Sequence, residues 1–159
     1  MNSITPIKRN IALQTLSREH YHGLMLCLKI RKGIARHVEE SRMKRYADWF
    51  YATHLIPHFQ AEEQLIFPVL GNGHKLVEKA LFEHRRINRL FVKEKNLLKS
   101  VSLIEEELER HIRFEERILF NELERTATAE QLVMVDRLHQ EHHFEENTED
   151  EFWKKLPGE

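Results

Sequence analysis

The chain has 159 residues and a formal net charge of −1, with 32% charged and 41% hydrophobic side chains but only five Gly and four Pro. Interspersed charge offers no basic face for nucleic acid, no apolar run approaches the roughly 20 residues of a membrane span, and a lone cysteine, Cys27, excludes an internal disulfide framework. This composition reads as one helical domain, and without an apolar leader near Met1 the expected compartment is the cytoplasm.

Residues 1–15 read as an N-terminal arm, interrupted at Pro6, with Ile7, Ile11 and Leu13 available to pack across helix ends. Ser17 is the expected N-cap of a first helix whose apolar stripe runs through His20, Leu24 and Cys27 or Leu28. His22 points about 160° away from the side of Leu24, at 100° per residue, which makes it the poorer ligand. Gly33 need not end this helix, which should close near Ser41.

A second helix is expected from about Arg42 to Leu70, with Tyr46, Phe50, His54, His58, Glu62 and Ile66 on its inward line and a bend at Pro57. Gly71-Asn72-Gly73 is a turn. A third helix follows from about Lys75 to Lys99, with Val77, Leu81, His84, Phe91 and either Ile87 or Asn88 on one face. Ser102 and Glu105 form a capping box that should open a fourth, carrying Ile104, Leu108, His111, Glu115 and Ile118 inward. A second capping box, Thr128 to Gln131, opens a shorter helix of Leu132, Val135, Leu138 and His142, followed by an acidic tail with Phe152 and Trp153. The expected fold is therefore all-α: an up-down antiparallel four-helix bundle over 16–124, with a short extra C-terminal helix and tail over 125–159.

The chain repeats one sentence. His58-x-x-x-Glu62-Glu63 with Phe67 and Leu70 returns as His111-x-x-x-Glu115-Glu116 with Phe120 and Leu123, and the dipeptide Glu19-His20 returns as Glu83-His84. Positions i and i+4 share a helix face, so each copy aims an imidazole and a carboxylate inward. An ionised carboxylate facing a core needs a cationic side chain or a metal, because an unpaired buried charge is very costly. Duplication in the same apolar context favours a shared metal site of His20, His58, Glu62, His84, His111 and Glu115. This nitrogen and oxygen set suits iron, manganese or zinc rather than an iron–sulfur cluster, calcium or magnesium. Six donors are also too many for one four-coordinate zinc.

These motifs resemble the hemerythrin-like (HHE cation-binding) family, over about Leu16 to Leu123. The resemblance implies a non-haem di-iron centre with two iron ions, bridged by Glu62, Glu115 and an oxo or hydroxo group. Oxygen-carrying members have a fifth histidine one turn after the third-helix ligand, where this chain has Asn88. The remaining set is similar to that of the family's di-iron repair proteins, which act in nitric oxide and oxidative stress. The expected function is a non-haem di-iron protein that binds oxygen, nitric oxide or peroxide, or senses and handles iron. Its alternative is a di-iron enzyme that reduces peroxide or nitric oxide or repairs iron centres. Small ligands are the expected partners, with neither nucleic acid nor membrane.

His54 should be a hydrogen-bonding neighbour of the site rather than a ligand. Glu63 and Glu116 turn about 100° off the inward face, toward solvent or arginine. Cys27 is a small buried apolar side chain. His139, His142 and His143 should lie on a solvated helix face.

Overall fold

The computed structural model describes residues 8–141 and 143–155, so Ile7 and Pro6 of the arm, and His142, lie outside the described residues. Five helices follow one another: α1 (Ile11–Ala35), α2 (40–70), α3 (Lys75–Phe91), α4 (97–126) and α5 (Ala129–Leu138), with no strand among the described residues. Connections of a few residues make successive helices antiparallel neighbours. α1 packs chiefly on α4, α4 also receives α3 and α2, and α5 lies against α1 and α2. None of these helices is long and apolar enough to cross a membrane.

α1 begins earlier than expected. Its N-cap is Asn10, not Ser17: the Asn10 side chain accepts from the backbone N–H of Ala12 at 2.9 Å. Leu13 and Leu16, both fully buried, extend the apolar stripe back past Ser17, so starting the helix there would strand them. Residues 11–15 thus belong to the bundle. The start is tied to the end of α4, where Glu124 accepts from the Asn10 backbone at 2.9 Å and pairs with Arg9. α1 ends at Ala35 rather than near Ser41, in a turn with His37 at φ 57 whose next residue, Val38, donates to Gly33 O at 2.9 Å. A Cβ on Gly33 would meet Met43 Sδ at 2.6 Å, so this glycine permits the close packing of α1 on α2.

The turn between α3 and α4 is also shifted. α3 ends at Phe91, and α4 starts at Leu97 behind Asn96, whose φ of 54 reverses the chain. Ser102 lies inside α4 instead of capping it, because buried Ser100 and Val101 carry the inward face one turn further upstream. The second capping box forms as expected, Thr128 with Gln131.

Three π turns interrupt the long helices, over Tyr51–Leu55, Glu62–Ile66 and Glu115–Leu119. A mid-helix proline crowds the carbonyl four residues back and cannot donate to it. The first two π turns end two residues before Pro57 and Pro68 and relieve that conflict. The third has no proline. It sits at the same place in the second copy of the motif as Glu62–Ile66 does in the first, each closed by an i to i−5 bond, Phe67 to Glu62 and Phe120 to Glu115. In an ordinary helix residue i+5 lies about 140° from residue i; the extra residue in a π turn brings it back. Phe67 and Phe120 therefore join Glu62 and Glu115 inside, while Ile118, expected inward, is 50% exposed.

The core divides into two apolar clusters. One gathers Leu26, Ile30, Met43, Phe50, Ile104 and Leu108; the other gathers Leu13, Leu16, Phe67, Val77, Phe120 and Leu123. Along each of α1 to α4 the motif residues fall between them, so a polar layer is sealed from both ends. Past α5 the expected acidic tail is no free tail. It runs back along α1 and α2, and Phe152 is buried in the first cluster.

Candidate metal centre

α1 contributes His20, α2 contributes His58 and Glu62, α3 contributes His84, and α4 contributes His111 and Glu115. All six are buried, the two glutamates completely. Their donor atoms converge in two groups, one of His20, His58 and Glu62, the other of Glu62, His84, His111 and Glu115; in each, one donor atom per residue lies within 4.8 Å of the others. Glu62 belongs to both. Glu115 also faces both sides, with Oε1 beside His111 and 3.5 Å from His84 Nε2, and Oε2 3.7 Å from His20 Nε2.

The two halves repeat each other. The His20 and His58 rings stand 4.7 Å apart at 63°, and those of His84 and His111 stand 4.8 Å apart at 68°. Aromatic walls hold them: Phe120 stacks on His20 at 5.3 Å and Phe59 on His84 at 3.8 Å.

Three of the four imidazoles are held from behind by a hydrogen-bonded carboxylate. Nδ1 of His58 lies 2.8 Å from Glu19, Nδ1 of His111 2.8 Å from Glu83, and Nδ1 of His20 2.7 Å from Glu116. Glu63 approaches Nδ1 of His84 at 3.7 Å. A carboxylate at Nδ1 selects the tautomer with the proton there and leaves Nε2 as a lone pair facing inward. Glu116 also pairs with Arg9 at 3.3 Å, so the arginine expected beside it is present. Helical periodicity does not reveal the contacts of Glu19, Glu83 and Glu116 with these rings; the repeated Glu-His dipeptide marks the first two, and the second Glu of the Glu-Glu pair is the third.

In that tautomer the inward nitrogens face one another, and the carboxylates, as acceptors. His84 Nε2 is 3.1 Å from His111 Nε2, and His58 Nε2 is 2.8 Å from Glu62 Oε1. Nε2 of His20 and His58, and all four oxygens of Glu62 and Glu115, are buried without a hydrogen-bond partner. Acceptors packed against acceptors repel unless a cation or proton lies between them. No Lys or Arg ion pair reaches either glutamate among the described residues. The donor set fits metal ions.

The protonation pattern carries the same strain. Burial opposes charge on His58, but Glu62 and Glu19 outweigh it and push its pKa up to about 10. Burial pushes His111 down to about 4 against the pull of Glu83. Glu62 falls well below the usual carboxylate range because the neighbouring His58 and His84 outweigh its burial. Glu19 is lowered to about 2: burial opposes this, and His139 and His58 override it.

The remaining expected residues fall outside this inner set. Asn88 is half-buried, and its Oδ1 accepts from the Tyr51 hydroxyl at 2.7 Å instead of facing the imidazoles. Ile87, one residue earlier, takes the buried position. His22 stacks on Phe144 at 4.2 Å. His54 is half-buried beside Trp49, Phe50 and Phe144. His139 is not on a solvated helix face, since α5 ends at Leu138; its side chain is 6% exposed, with Nε2 3.3 Å from Glu19. His143 is exposed. Cys27 is fully buried, and burial pushes its thiol up to about 12, which makes it inert.

A cavity reaches the centre from one side. Its walls include Gly23, Phe50, Leu55, Leu108 and Ile112, and its floor is His20, His58 and His111. About 20 Å³ is open to the centre of a water-sized sphere, compared with the roughly 10–15 Å³ that one water requires.

A four-helix bundle enclosing a buried histidine and glutamate layer defines a class of cation-binding protein. The family description Hemerythrin HHE cation binding domain matches residues 12–102, more than half of the chain. The chain belongs to that family. The matched span holds His20, His58, Glu62 and His84 and stops before His111 and Glu115. No curated protein and no solved structure gives a significant match.

Proposed function

We propose that the chain is a di-iron protein that binds a small exogenous ligand: oxygen, nitric oxide or peroxide. His20 and His58 would hold one metal, His84 and His111 the other, and Glu62 and Glu115 would bridge them. The observation that carries this reading is the set of buried acceptors without donors, arranged as two similar groups that share Glu62. Glu19, Glu83 and Glu116 fix the rings so that lone pairs point inward, and the stacked Phe59 and Phe120 keep them from turning. When bound, a pair of irons supplies a redox couple and coordination positions that the six side chains leave open.

The cavity supports ligand binding over enzyme chemistry on an organic substrate. It is largely apolar, and its space is on the scale of one water, which suits a small ligand and not an organic substrate. The test is anaerobic reduction of the iron-loaded protein followed by stoichiometric additions of oxygen, peroxide and nitric oxide. One reversible spectral change per centre is the expected result. Sustained turnover with a reductant would replace this reading with that of a peroxide or nitric oxide reductase.

A further inference from the structure

After α5 the described residues 139–141 and 143–155 form no helix and are strapped to the bundle by specific contacts. Arg18 pairs with Glu141 at 2.7 Å, Arg42 binds Asp150 through two nitrogens at 2.8 and 2.7 Å, and Arg36 donates to Trp153 O at 2.6 Å. The buried Lys29 ammonium pairs with Glu146 at 2.6 Å and donates to the Tyr46 hydroxyl at 2.8 Å. The same ammonium lies 4.3 Å from the Trp153 ring centre and 5.8 Å from that of Phe144.

Between these anchors the strap lowers Phe144 onto the cavity above the metal centre. Every other lining side chain comes from α1, α2 or α4. Most of the lining is buried; the half-buried members are Glu19, His22, His54 and Phe144, which therefore form the rim. Phe144 covers that rim, stacked on His22 at 4.2 Å and 11° and standing 5.0 Å from His54.

We propose that Phe144 selects exogenous ligands by size at the entrance to the metal centre, and that the Lys29–Glu146 pair holds it there. The proposal rests on the di-iron reading for the identity of those ligands, but not for the geometry of the entrance. A planar ring stacked on imidazole slides or swings to pass a rod of two or three atoms. A branched ligand requires the strap to lift, which breaks the ion pair between buried Lys29 and half-buried Glu146.

The test compares wild type with Phe144→Ala, Phe144→Leu and Glu146→Gln. For the oxidised, iron-loaded protein, association rates are measured with azide and with the branched ligand acetohydroxamate. Azide should bind at rates within about threefold in all four proteins. Acetohydroxamate should bind at least 100-fold faster in Phe144→Ala, with smaller gains in Phe144→Leu and Glu146→Gln. A merely structural role for Phe144 would move both rates together. A second readout uses metal-free protein: ethoxycarbonylation of His20 by diethyl pyrocarbonate, scaled to exposed His37 in the same sample. It should rise at least tenfold in Phe144→Ala. If the chain takes up no iron, the di-iron reading fails and the ethoxycarbonylation rates still decide the entrance. If Phe144→Ala does not fold, Phe144→Leu decides both measurements. Rates and size ratios equal to wild type in a folded variant overturn the proposal.

Discussion

Glu19 on α1 accepts from Nδ1 of His58 on α2 at 2.8 Å, and one bundle half later Glu83 on α3 repeats this contact with His111 on α4 at the same distance. The residue before one histidine thus orients the histidine of the next helix. Behind them the symmetry ends. Glu19 is also met by His139 at 3.3 Å, whereas Glu83 is met by Lys79 at 3.1 Å. Outer partners of this kind set both ring orientation and donor strength. Glu19→Gln and Glu83→Gln are each expected to weaken metal affinity by about 10- to 100-fold while leaving the helical signal of the folded protein unchanged. Competition with a chromophoric chelator measures this, and affinities within twofold of wild type would remove the two carboxylates from the account.

Substitution should also separate the faces of the helices. Glu62→Ala is expected to lose both metals, because the carboxylate belongs to both donor groups. His22→Ala is expected to keep both, since that ring lies on the cavity rim rather than in either group. Equal metal retention in the two variants would refute the assignment.

Metal uptake should release protons. At pH 7 the metal-free chain carries a proton on His58, whose pKa is raised from 6.5 to about 10, and a metal ligand must give it up. Affinity is therefore expected to rise with pH between 6 and 9. The same shift has a stability consequence of definite sign. A raised folded-state pKa stabilises the fold fully below 6.5, and this contribution is lost as pH rises through about 10. Metal-free protein should thus lose thermal stability on the way to pH 10, and the loaded protein should not lose this contribution. Melting curves of both forms across that range test the sign.

The gathering of the six candidate ligands was legible because they follow fixed i, i+4 spacings, written twice. The six inner side chains needed only helical periodicity and the cost of burying charge. What escaped was set by features that periodicity does not encode. The π turn at Glu115–Leu119 has no proline to announce it, and it alone turns Ile118 outward and Phe120 inward. The early start of α1 was hidden because Ser17 is as good a cap by type as Asn10, and only the burial of Leu13 and Leu16 decides between them. The acidic run 141–151 reads as solvated by composition, yet its carboxylates find Arg18, Lys29 and Arg42 across the fold, and Phe152 anchors it.

Asn88 stands off the inward face of α3, which takes Ile87 instead. Its amide oxygen is the acceptor for the Tyr51 hydroxyl, so Asn88→His should leave the metal count and the spectrum of the oxidised protein unchanged. Losing that acceptor should cost about 1 kcal/mol of stability. A new absorption band with slower autoxidation would instead bring residue 88 to the metals.

The count of metal ions per chain tests the central claim most directly. Anaerobically prepared protein titrated with ferrous iron should take up two equivalents, with Glu62→Ala taking up neither. Binding of a single zinc with no capacity for a second metal would contradict the account.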